Sequence, residues 1–384
     1  MLNYIELRLS PCPDVLFPTQ EIGSIAKPNW LVKKRRGQEL KASDWEELRY
    51  WLDFAQIKEY DELKDLLKRK ALTLKEKNRL VEWSSILVLK CFEKIGLDII
   101  YDGEQHRSEM YQEPISYIDG FKFLGEVRSF DNKYYRKAAC IKKPKLLKEY
   151  HLEEFNFIKE QTTKPLKVPI TGAYTLMNWS FNEFYLKQWQ KRKKDFAKAR
   201  YKANQALAID LAKTVIRPNI QALVNAGAKL IQIDEPAATT RPDEIPIFVQ
   251  SFNESTKGFP NVRFNLHICF SNYALLYPAI LDLKNCCQFT FEFANQGANY
   301  DFLRLMRKYK DRREIGLGVL DVHTDEIESP VVIVQRVKSA IKIIPPERIY
   351  VNPDCGLRTR SWRVAFAKLA NMVKAVEKLR AEYQ

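Results

Sequence analysis

The feature of this sequence that most constrains its fold is a repeated alternation of short apolar runs with longer amphipathic stretches. Eight runs have the length and apolar content of β-strands, and most precede a stretch whose apolar residues recur at helical spacing. Strands joined through helices form parallel sheets, so these units predict an α/β fold of the (β/α)8 TIM-barrel type. The predicted strands are residues 21–25, 97–101, 168–174, 229–233, 262–268, 288–293, 314–320 and 348–351.

The stretches between these strands predict the helices and the domain organisation. Two helical segments follow the first strand as amino-terminal additions to the barrel, and a basic section after the second strand is expected to be irregular. No linker or internal repeat divides the chain, which predicts one domain over residues 1–384, with the first strand and added helices in 1–95 and the remaining barrel in 96–384. The predicted helices are residues 44–70, 74–94, 182–226 with a stop at Gly227, 330–344 and 363–382, and the irregular section is residues 117–164.

The composition is that of a folded protein without a membrane anchor. No segment approaches the ~18 consecutive apolar residues of a membrane-spanning helix, and no charged leader precedes a long apolar run at the amino terminus. Seven cysteines are too few in a chain of this length for a disulfide framework. We therefore expect reduced thiols and a cytoplasmic protein, the thiols outside any site being Cys12, Cys91, Cys140, Cys286 and Cys287.

The net charge of +15 is the one compositional feature that suggests an acidic partner. Basic residues cluster at KKRR (residues 33–36) and at KRKK (residues 191–194). Such clusters bind nucleic acid in some proteins, but no interleaved aromatic residues or nucleic-acid-binding motif accompany them here. A solvated helical face is the favoured interpretation, and a non-catalytic, nucleic-acid-binding barrel is the less favoured one.

Four potential metal ligands follow the ends of predicted strands. In RFNLHICF (residues 263–270), His267 and Cys269 share one face of a strand, while Glu292 and Cys355 end two others. The His-x-Cys pair alone is equally consistent with a buried strand, but one imidazole, two thiols and a carboxylate complete a tetrahedral zinc site. A zinc ion with two thiolate ligands accepts a further thiol and lowers its pKa, whereas a closed structural site usually has close-spaced cysteine pairs.

Other polar residues at the same strand ends suit an amino acid that carries a thiol. Glu104 and Asp234 supply negative charge for an ammonium group, and the backbone amides at Gly23 and Ser24 are candidates to hold a carboxylate. Trp179 and His323 also follow predicted strands. In barrels of this type the carboxyl ends of the strands form the active site. For Asp234 the alternative is a cap on the helix that follows.

The motifs that contain these residues resemble the catalytic carboxyl-terminal half of cobalamin-independent methionine synthase. The resemblance extends over nearly the whole chain, and the order and spacing of IDEPA, HxC and NPDCGL are highly specific. The matching motifs are EIGS (residues 21–24), DGEQHRSEM (102–110), IDGF (118–121), ITGAYTLMNWSF (170–181), IQIDEPA (231–237), HICFSNY (267–273), GLGVLDVH (316–323) and VNPDCGLRTRSW (351–362).

The resemblance implies a zinc-dependent methyltransferase of methionine biosynthesis with homocysteine as its thiol substrate. By this resemblance the zinc ligands are His267, Cys269, Glu292 and Cys355. Homocysteine is expected to place its carboxylate at the backbone of Gly23 and Ser24 and its amino group at Glu104 and Asp234. The resemblance assigns His323 to proton relay towards the demethylated donor and Trp179 to stacking on a pterin. Coenzyme M as an alternative thiol is disfavoured, because a sulfonate thiol has no ammonium group for those two acids.

Departures from the family pattern concern the methyl donor. The chain is expected to lack the second, amino-terminal barrel that helps to hold methyltetrahydropteroyl-polyglutamate. Thr240 replaces a glutamate that contacts the pterin, and Ala139 replaces an arginine just before Cys140. The chain therefore resembles the short, single-barrel members of the family. We expect a methyl-corrinoid donor, either methylcobalamin or a corrinoid-carrying protein, with methyltetrahydropteroyl(poly)glutamate as the alternative.

Overall fold

A six-stranded parallel sheet forms the centre of the protein. The computed structural model describes residues 13–128, 134–192, 194–295 and 297–383. The six strands lie side by side in the order in which they occur in the chain, and all neighbouring pairs run parallel. The prediction of an α/β fold on a parallel sheet is confirmed. The strands are β3 (Lys167–Thr171), β5 (Leu230–Asp234), β6 (Arg263–His267), β7 (Cys286–Phe291), β8 (Glu314–Leu320) and β9 (Ile349–Pro353).

Isolated parallel bridges continue the pairing beyond both edges of this sheet. Thr19 pairs with Val351 of β9, Gln20 pairs with Ile99, and Ile100 pairs with Leu166, which directly precedes β3. Two short extended segments thus lie between the edge strands β9 and β3. The first predicted strand was placed too late, at residues 21–25, because the paired residues are Thr19 and Gln20.

The third predicted strand was also misplaced, and a buried carboxylate explains the difference. The strand β3 ends at Thr171, and helix α7 (Ala173–Asn178) begins where the sequence predicted more strand. Glu235 accepts hydrogen bonds from the backbone N–H groups of Tyr174 and Thr175, at 3.1 and 2.7 Å. This carboxylate, which comes from the end of the neighbouring strand, satisfies the free donors of the first helical turn.

Helices pack around the sheet, and several are shorter than predicted. The predicted helix 44–70 is two helices, because the chain turns at Gln56, whose φ is +58°. The predicted helix 182–226 is interrupted before Asp195, whose carboxylate caps a new helix at Lys198 N, and a π-helical turn follows at Ala212–Ile216. The predicted stop at Gly227 agrees with its φ of +106°. The remaining helices are α1 (Asn29–Arg35), α2 (Ala42–Phe54), α3 (Asp61–Lys68), α4 (Leu74–Ile95), α5 (Gln112–Ser116), α6 (Leu152–Gln161), α8 (Glu183–Arg192), α9 (Phe196–Leu211), α10 (Arg217–Asn225), α11 (Ile245–Thr256), α12 (Tyr300–Lys308), α13 (Pro330–Ile341) and α14 (Trp362–Tyr383).

The section predicted to be irregular contains a long β-hairpin. Strands β1 (Ile118–Arg128) and β2 (Tyr134–Leu146) pair antiparallel, and the short strand β4 (Phe181–Asn182) joins β2 in parallel. The prediction for residues 117–164 was wrong because most side chains of β1 are partly exposed and the pairing contains register shifts. Without one buried face, the strands lack the alternation of apolar and polar residues that identifies a strand in a sequence.

The basic cluster at residues 33–36 is partly structural. The Lys33 ammonium group lies 2.6 Å from Asp44 of α2, and Lys34 donates to the carbonyl of Arg69. These contacts attach α1 to the helices that follow it. Part of the second cluster, Lys193, lies outside the described residues.

Two expectations from the sequence concern the state of the cysteines and the presence of membrane-spanning helices. No disulfide bond joins Cys91, Cys140, Cys286 or Cys287 to another described residue, as predicted, while Cys12 lies outside the described residues. Within the described part of the chain no helix is both long and apolar enough to span a membrane.

Candidate metal centre and active site

Three of the four predicted metal ligands form a compact cluster at the carboxyl ends of the strands. His267 is the last residue of β6, Cys269 follows two residues later, and Cys355 follows the end of β9. One ligand atom from each side chain lies within 4.8 Å of the others, and His267 Nε2 is 3.5 Å from Cys355 Sγ. Two thiols and an imidazole are a donor set that zinc prefers.

The orientation of the histidine is fixed by its second ring nitrogen. His267 Nδ1 lies 2.8 Å from the carbonyl oxygen of Thr290 in β7. A proton on Nδ1 makes this hydrogen bond and leaves the Nε2 lone pair facing the two thiols. Metal-binding histidines commonly have this arrangement, in which a backbone carbonyl sets the tautomer.

Glu292 lies beside the cluster but outside its most compact part. It directly follows β7, is fully buried, and interacts electrostatically with His267. Its Oε1 atom is buried without a hydrogen-bond partner among the described residues, while Oε2 accepts a long bond from Asn295 at 3.5 Å. A buried carboxylate oxygen without a partner is costly, so the position fits a ligand that completes the coordination of a cation.

The loop that carries Glu292 is held by Asp354, a residue that the sequence analysis did not single out. Asp354 Oδ1 accepts hydrogen bonds from the N–H groups of Phe293 and Ala294, at 3.0 and 3.1 Å, and Oδ2 accepts one from Asn295 at 3.1 Å. One fully buried carboxylate therefore positions the loop after Glu292 and directly precedes Cys355. The signal was present in the sequence as the acidic residue of the NPDCG turn.

Asp234 lies next to the cluster of His267, Cys269 and Cys355, at the end of the neighbouring strand. It pairs with His267 across β5 and β6, and its Oδ1 accepts a hydrogen bond from Gln232 Nε2 at 2.8 Å. Burial raises the pKa of Asp234 to about 6, with Glu104 raising it further and His267 opposing the shift. The helix-capping alternative for Asp234 is wrong, because the next α-helix, α11, has Glu244 at its N-cap.

Glu104 and the Gly23–Ser24 segment approach the same region from other loops. Glu104 has a φ of +58°, and its N–H donates to Asp102 Oδ1 at 2.9 Å. A Cβ atom on Gly23 would lie 3.5 Å from Glu104 Oε1. A Cβ atom on Gly356 would lie 2.9 Å from Ser24 N. The segment with Ser24 therefore contacts both the loop of Glu104 and the turn that follows Cys355.

His323 and Trp179 lie at the periphery. The ring of His323 is exposed and contacts the ring of Phe270, the residue after Cys269, in an edge arrangement with centroids 4.4 Å apart. Trp179 ends helix α7 rather than a strand. Its ring packs against Tyr111 and against Tyr135 of the hairpin, with centroid distances of 6.1 and 5.9 Å.

Comparison with known proteins identifies the family. The family model described as "Cobalamin-independent synthase, Catalytic domain" matches residues 53–378. A protein named methionine synthase from Thermococcus kodakarensis is 38% identical over 368 residues, a match that covers 96% of this chain and 94% of that protein. Another of the same name from Pyrococcus abyssi is 38% identical over 371 residues, with the same coverage. The chain belongs to the cobalamin-independent methionine synthase family. It is therefore an enzyme of the methionine synthase type.

Solved structures of B12-independent methionine synthases share this fold. The structure from a Shewanella species, determined in complex with selenomethionine, has a TM-score of 0.74 and 22% identity, covering 96% of this chain and 98% of that one. A structure from Listeria monocytogenes described as a putative vitamin-B12 independent methionine synthase has a TM-score of 0.67 and 18% identity, covering 96% and 99%. At these identities the likeness concerns the fold.

Two positions at which the chain departs from the family pattern are used for local structure. The hydroxyl of Thr240 donates to the carbonyl of Ala237 at 2.8 Å, within the turn after β5. Ala139 is fully buried in β2, where it pairs with Lys122 of β1 and Phe181 of β4. Neither side chain offers the charged group that the resemblance leads one to expect at these positions.

Proposed function

We propose that the protein transfers a methyl group to the thiol of homocysteine to give methionine, in methionine biosynthesis. The observation that carries this proposal is the cluster of His267, Cys269 and Cys355 beside the partly buried acid Asp234. A thiol-binding centre next to a carboxylate suits a substrate with a thiol at one end and an ammonium group at the other. Family membership supports the same reaction.

We further propose that His267, Cys269, Glu292 and Cys355 hold a zinc ion. The donor set and the unpartnered, buried Oε1 of Glu292 fit this metal. Bound zinc would lower the pKa of a coordinated thiol, so that the thiol is ionised near neutral pH. Glu292 lies outside the compact cluster and is the least tightly grouped of the four donors.

The residues of the chain itself have binding and orienting roles in this proposal. Asp234 and Glu104 bind the ammonium group of homocysteine, and the backbone amides of Gly23 and Ser24 bind its carboxylate. Two fixed ends restrict the rotation of the substrate, so its sulfur atom is held at the metal cluster facing the donor methyl group. In the displacement, the new S–C bond forms as the bond between the methyl group and its carrier breaks.

The parallel pairing supports a closed, eight-stranded barrel as the scaffold. The six strands of the sheet and the two extended segments at residues 19–20 and 99–100 are connected by parallel bridges from β9 to the start of β3. The hydrogen bonds Gln20 N to Val351 O and Lys167 N to Ile100 O, at 3.0 and 3.1 Å, lie at these junctions. In such a barrel the eight strand ends converge on one face, and our proposal assigns the ligand and substrate residues to that face.

A methyl-corrinoid, free or on a carrier protein, is the donor that we propose, with methyltetrahydropteroyl(poly)glutamate as the alternative. Thr240 and Ala139 have local structural contacts in place of charged groups for a folate. Trp179, which suits pterin stacking, is packed within an aromatic cluster with Tyr111 and Tyr135. His323 remains a candidate for proton relay, because its ring contacts Phe270 beside the cluster. The lack of disulfide bonds among the described cysteines favours a cytoplasmic location.

Two experiments test this function. Turnover is measured with zinc and homocysteine, offering methylcobalamin and methyltetrahydropteroyl-triglutamate separately. Faster turnover with methylcobalamin is expected, equal or faster turnover with the folate would overturn the donor assignment, and no methionine from either would reject the reaction.

The metal assignment is tested by zinc analysis of Cys355→Ser and His267→Ala. Both variants should lose zinc, because each removes one donor from the shell. Cys286→Ser is the matched control, since that thiol is buried and donates to Gln288 O at 3.4 Å. Full zinc content in the two ligand variants would refute the assignment.

A further inference from the structure

Glu21 is a buried acid in the segment that leads into Gly23 and Ser24. The contacts of the described residues do not explain why a carboxyl group is buried there. The residue is 2% exposed. Within the described part of the chain both carboxylate oxygens are buried without a hydrogen-bond partner. Leaving a carboxyl group in this state costs free energy unless a ligand supplies the missing donors.

The chain on either side of Glu21 is tied to the two acids of the substrate site. The carbonyl of Ile22 accepts a hydrogen bond from Gln232 Nε2 at 2.7 Å, and the same amide donates to Asp234 Oδ1 at 2.8 Å. Gly23 adjoins Glu104, whose Oε1 lies 3.5 Å from the position of an added Cβ. Glu21 therefore belongs to the same corner of the site as Asp234 and Glu104.

The charges around Glu21 are mainly negative. Burial raises its pKa to about 8, Lys167 lowers it, and Glu104, Asp102 and Asp234 raise it further. Lys167 directs its ammonium group to the backbone carbonyl of Glu21 at 2.5 Å and to Gln20 Oε1 at 3.3 Å. This ammonium group thus hydrogen-bonds the main chain and Gln20, and among the described residues both carboxylate oxygens of Glu21 are without a hydrogen-bond donor.

We propose that Glu21 is a third acidic residue of the amino-acid subsite, which binds the substrate's ammonium group together with Glu104 and Asp234. An ammonium group has three N–H donors, and three carboxyl groups offer one acceptor to each. The subsite selects thiols with an α-amino group, because an analogue without one supplies no N–H donor to the buried, unpartnered carboxyl group of Glu21. This inference rests on the proposed function, since it assumes that the ligand is an α-amino acid.

The competing explanation is that Glu21 only offsets the charge of Lys167 inside the barrel. In that case replacing Glu21 would affect folding, or would weaken all ligands equally. A ligand pair that differs only in the amino group separates the two roles. Methionine and 4-(methylthio)butanoate form such a pair, and as thioethers they have no thiol proton to complicate the measurement.

The test is calorimetric binding of both ligands to the zinc-loaded protein and to its Glu21→Gln variant. Wild type should bind methionine more tightly, and the variant should lose about tenfold or more of that preference, with little change for 4-(methylthio)butanoate. Glu244→Gln is the matched control, because this buried acid is bonded to Tyr174 and Asn204 and should retain the full preference.

Two contrary outcomes separate the inference from the proposed function. If wild type shows the preference and Glu21→Gln keeps it unchanged, the role of Glu21 is refuted and the function stands. If wild type itself shows no preference for methionine, the amino-acid substrate is refuted as well.

A measurement on wild type alone covers the case in which the variant does not fold. With a pKa of about 8, Glu21 is mostly protonated at pH 7, and a bound ammonium group favours its ionised form. Binding of methionine should therefore release protons, seen as a binding enthalpy that changes with the ionisation enthalpy of the buffer. An enthalpy that is the same in all buffers would overturn the proposal.

Discussion

Gly318→Ala tests whether the loop that carries Glu292 depends on a close approach of two strands. An added Cβ on Gly318 would lie 2.7 Å from the carbonyl oxygen of Phe291 and 2.9 Å from Asp354 Cα, and would overlap Asp354 Oδ1. The first group belongs to β7, and Asp354 is fixed by its hydrogen bonds to Phe293, Ala294 and Asn295. Neither obstacle is the free end of a flexible side chain.

The cost can be estimated from the two ways in which the overlap can be relieved. If the strands move apart, overpacking of a tightly packed interior costs about 1–3 kcal/mol. If Asp354 rotates away instead, the N–H groups of Phe293 and Ala294 lose their acceptor, and each buried donor left unpaired costs about 1–3 kcal/mol. We therefore expect a loss of about 2 kcal/mol or more. With an unfolding entropy of about 0.8 kcal/mol/K for 384 residues, this lowers Tm by roughly 2–3 °C.

The assay combines thermal unfolding with zinc affinity measured by competition with a chelator. Because Asp354 adjoins Cys355 and positions the loop of Glu292, zinc affinity should fall by about tenfold or more, for a displacement cost above ~1.4 kcal/mol. Gly125→Ala is the matched control, since an added Cβ there meets nothing within 4 Å. Unchanged Tm and unchanged zinc affinity in Gly318→Ala would refute this account of the loop.

Three further predictions concern charge, metal and stability. Asp234→Asn should weaken the binding of homocysteine by about 1.5–3 kcal/mol and leave the binding of 4-mercaptobutanoate unchanged. In wild type, the affinity for homocysteine should fall as the pH drops through about 6, because Asp234 then becomes neutral. A flat pH profile would contradict this. Glu292→Gln should retain more zinc in metal analysis than Cys355→Ser, since an amide oxygen remains beside the compact cluster. Lys368→Met should lower the free energy of unfolding by about 3 kcal/mol, because Lys368 is fully buried and lies 2.8 Å from Glu328. The loss is measured as a lower midpoint of urea unfolding, and an unchanged midpoint would contradict the role of this pair.

The sequence was most informative where function requires residues at strand ends. His267, Cys269 and Cys355 were predicted together because the period of a strand and the common end of parallel strands place such residues on one face. The cluster within 4.8 Å agrees with that prediction. The parallel sheet was predictable for a related reason, since buried parallel strands are continuous apolar runs that stand out from the amphipathic helices between them.

Prediction failed where a contact between distant residues overrides the local pattern. The strand predicted to continue to Tyr174 ends at Thr171 because Glu235, from the next strand, caps the helix that begins there. The hairpin of β1 and β2 was missed because most side chains of β1 are partly or fully exposed and three buried residues of β2, at 138–140, are consecutive, so neither strand alternates regularly.

The sequence by itself determined the fold class and the identity of the potential ligands, because these depend on periodicity and on residue chemistry. Only the tertiary structure decided that Asp354 holds the Glu292 loop and that Glu21 is buried without a partner. Both facts depend on which backbone amides and which carboxylates approach each other across the sheet. The physical reason is that desolvation and hydrogen bonding of a buried acid are set by neighbours far away in the chain, which the local sequence does not specify.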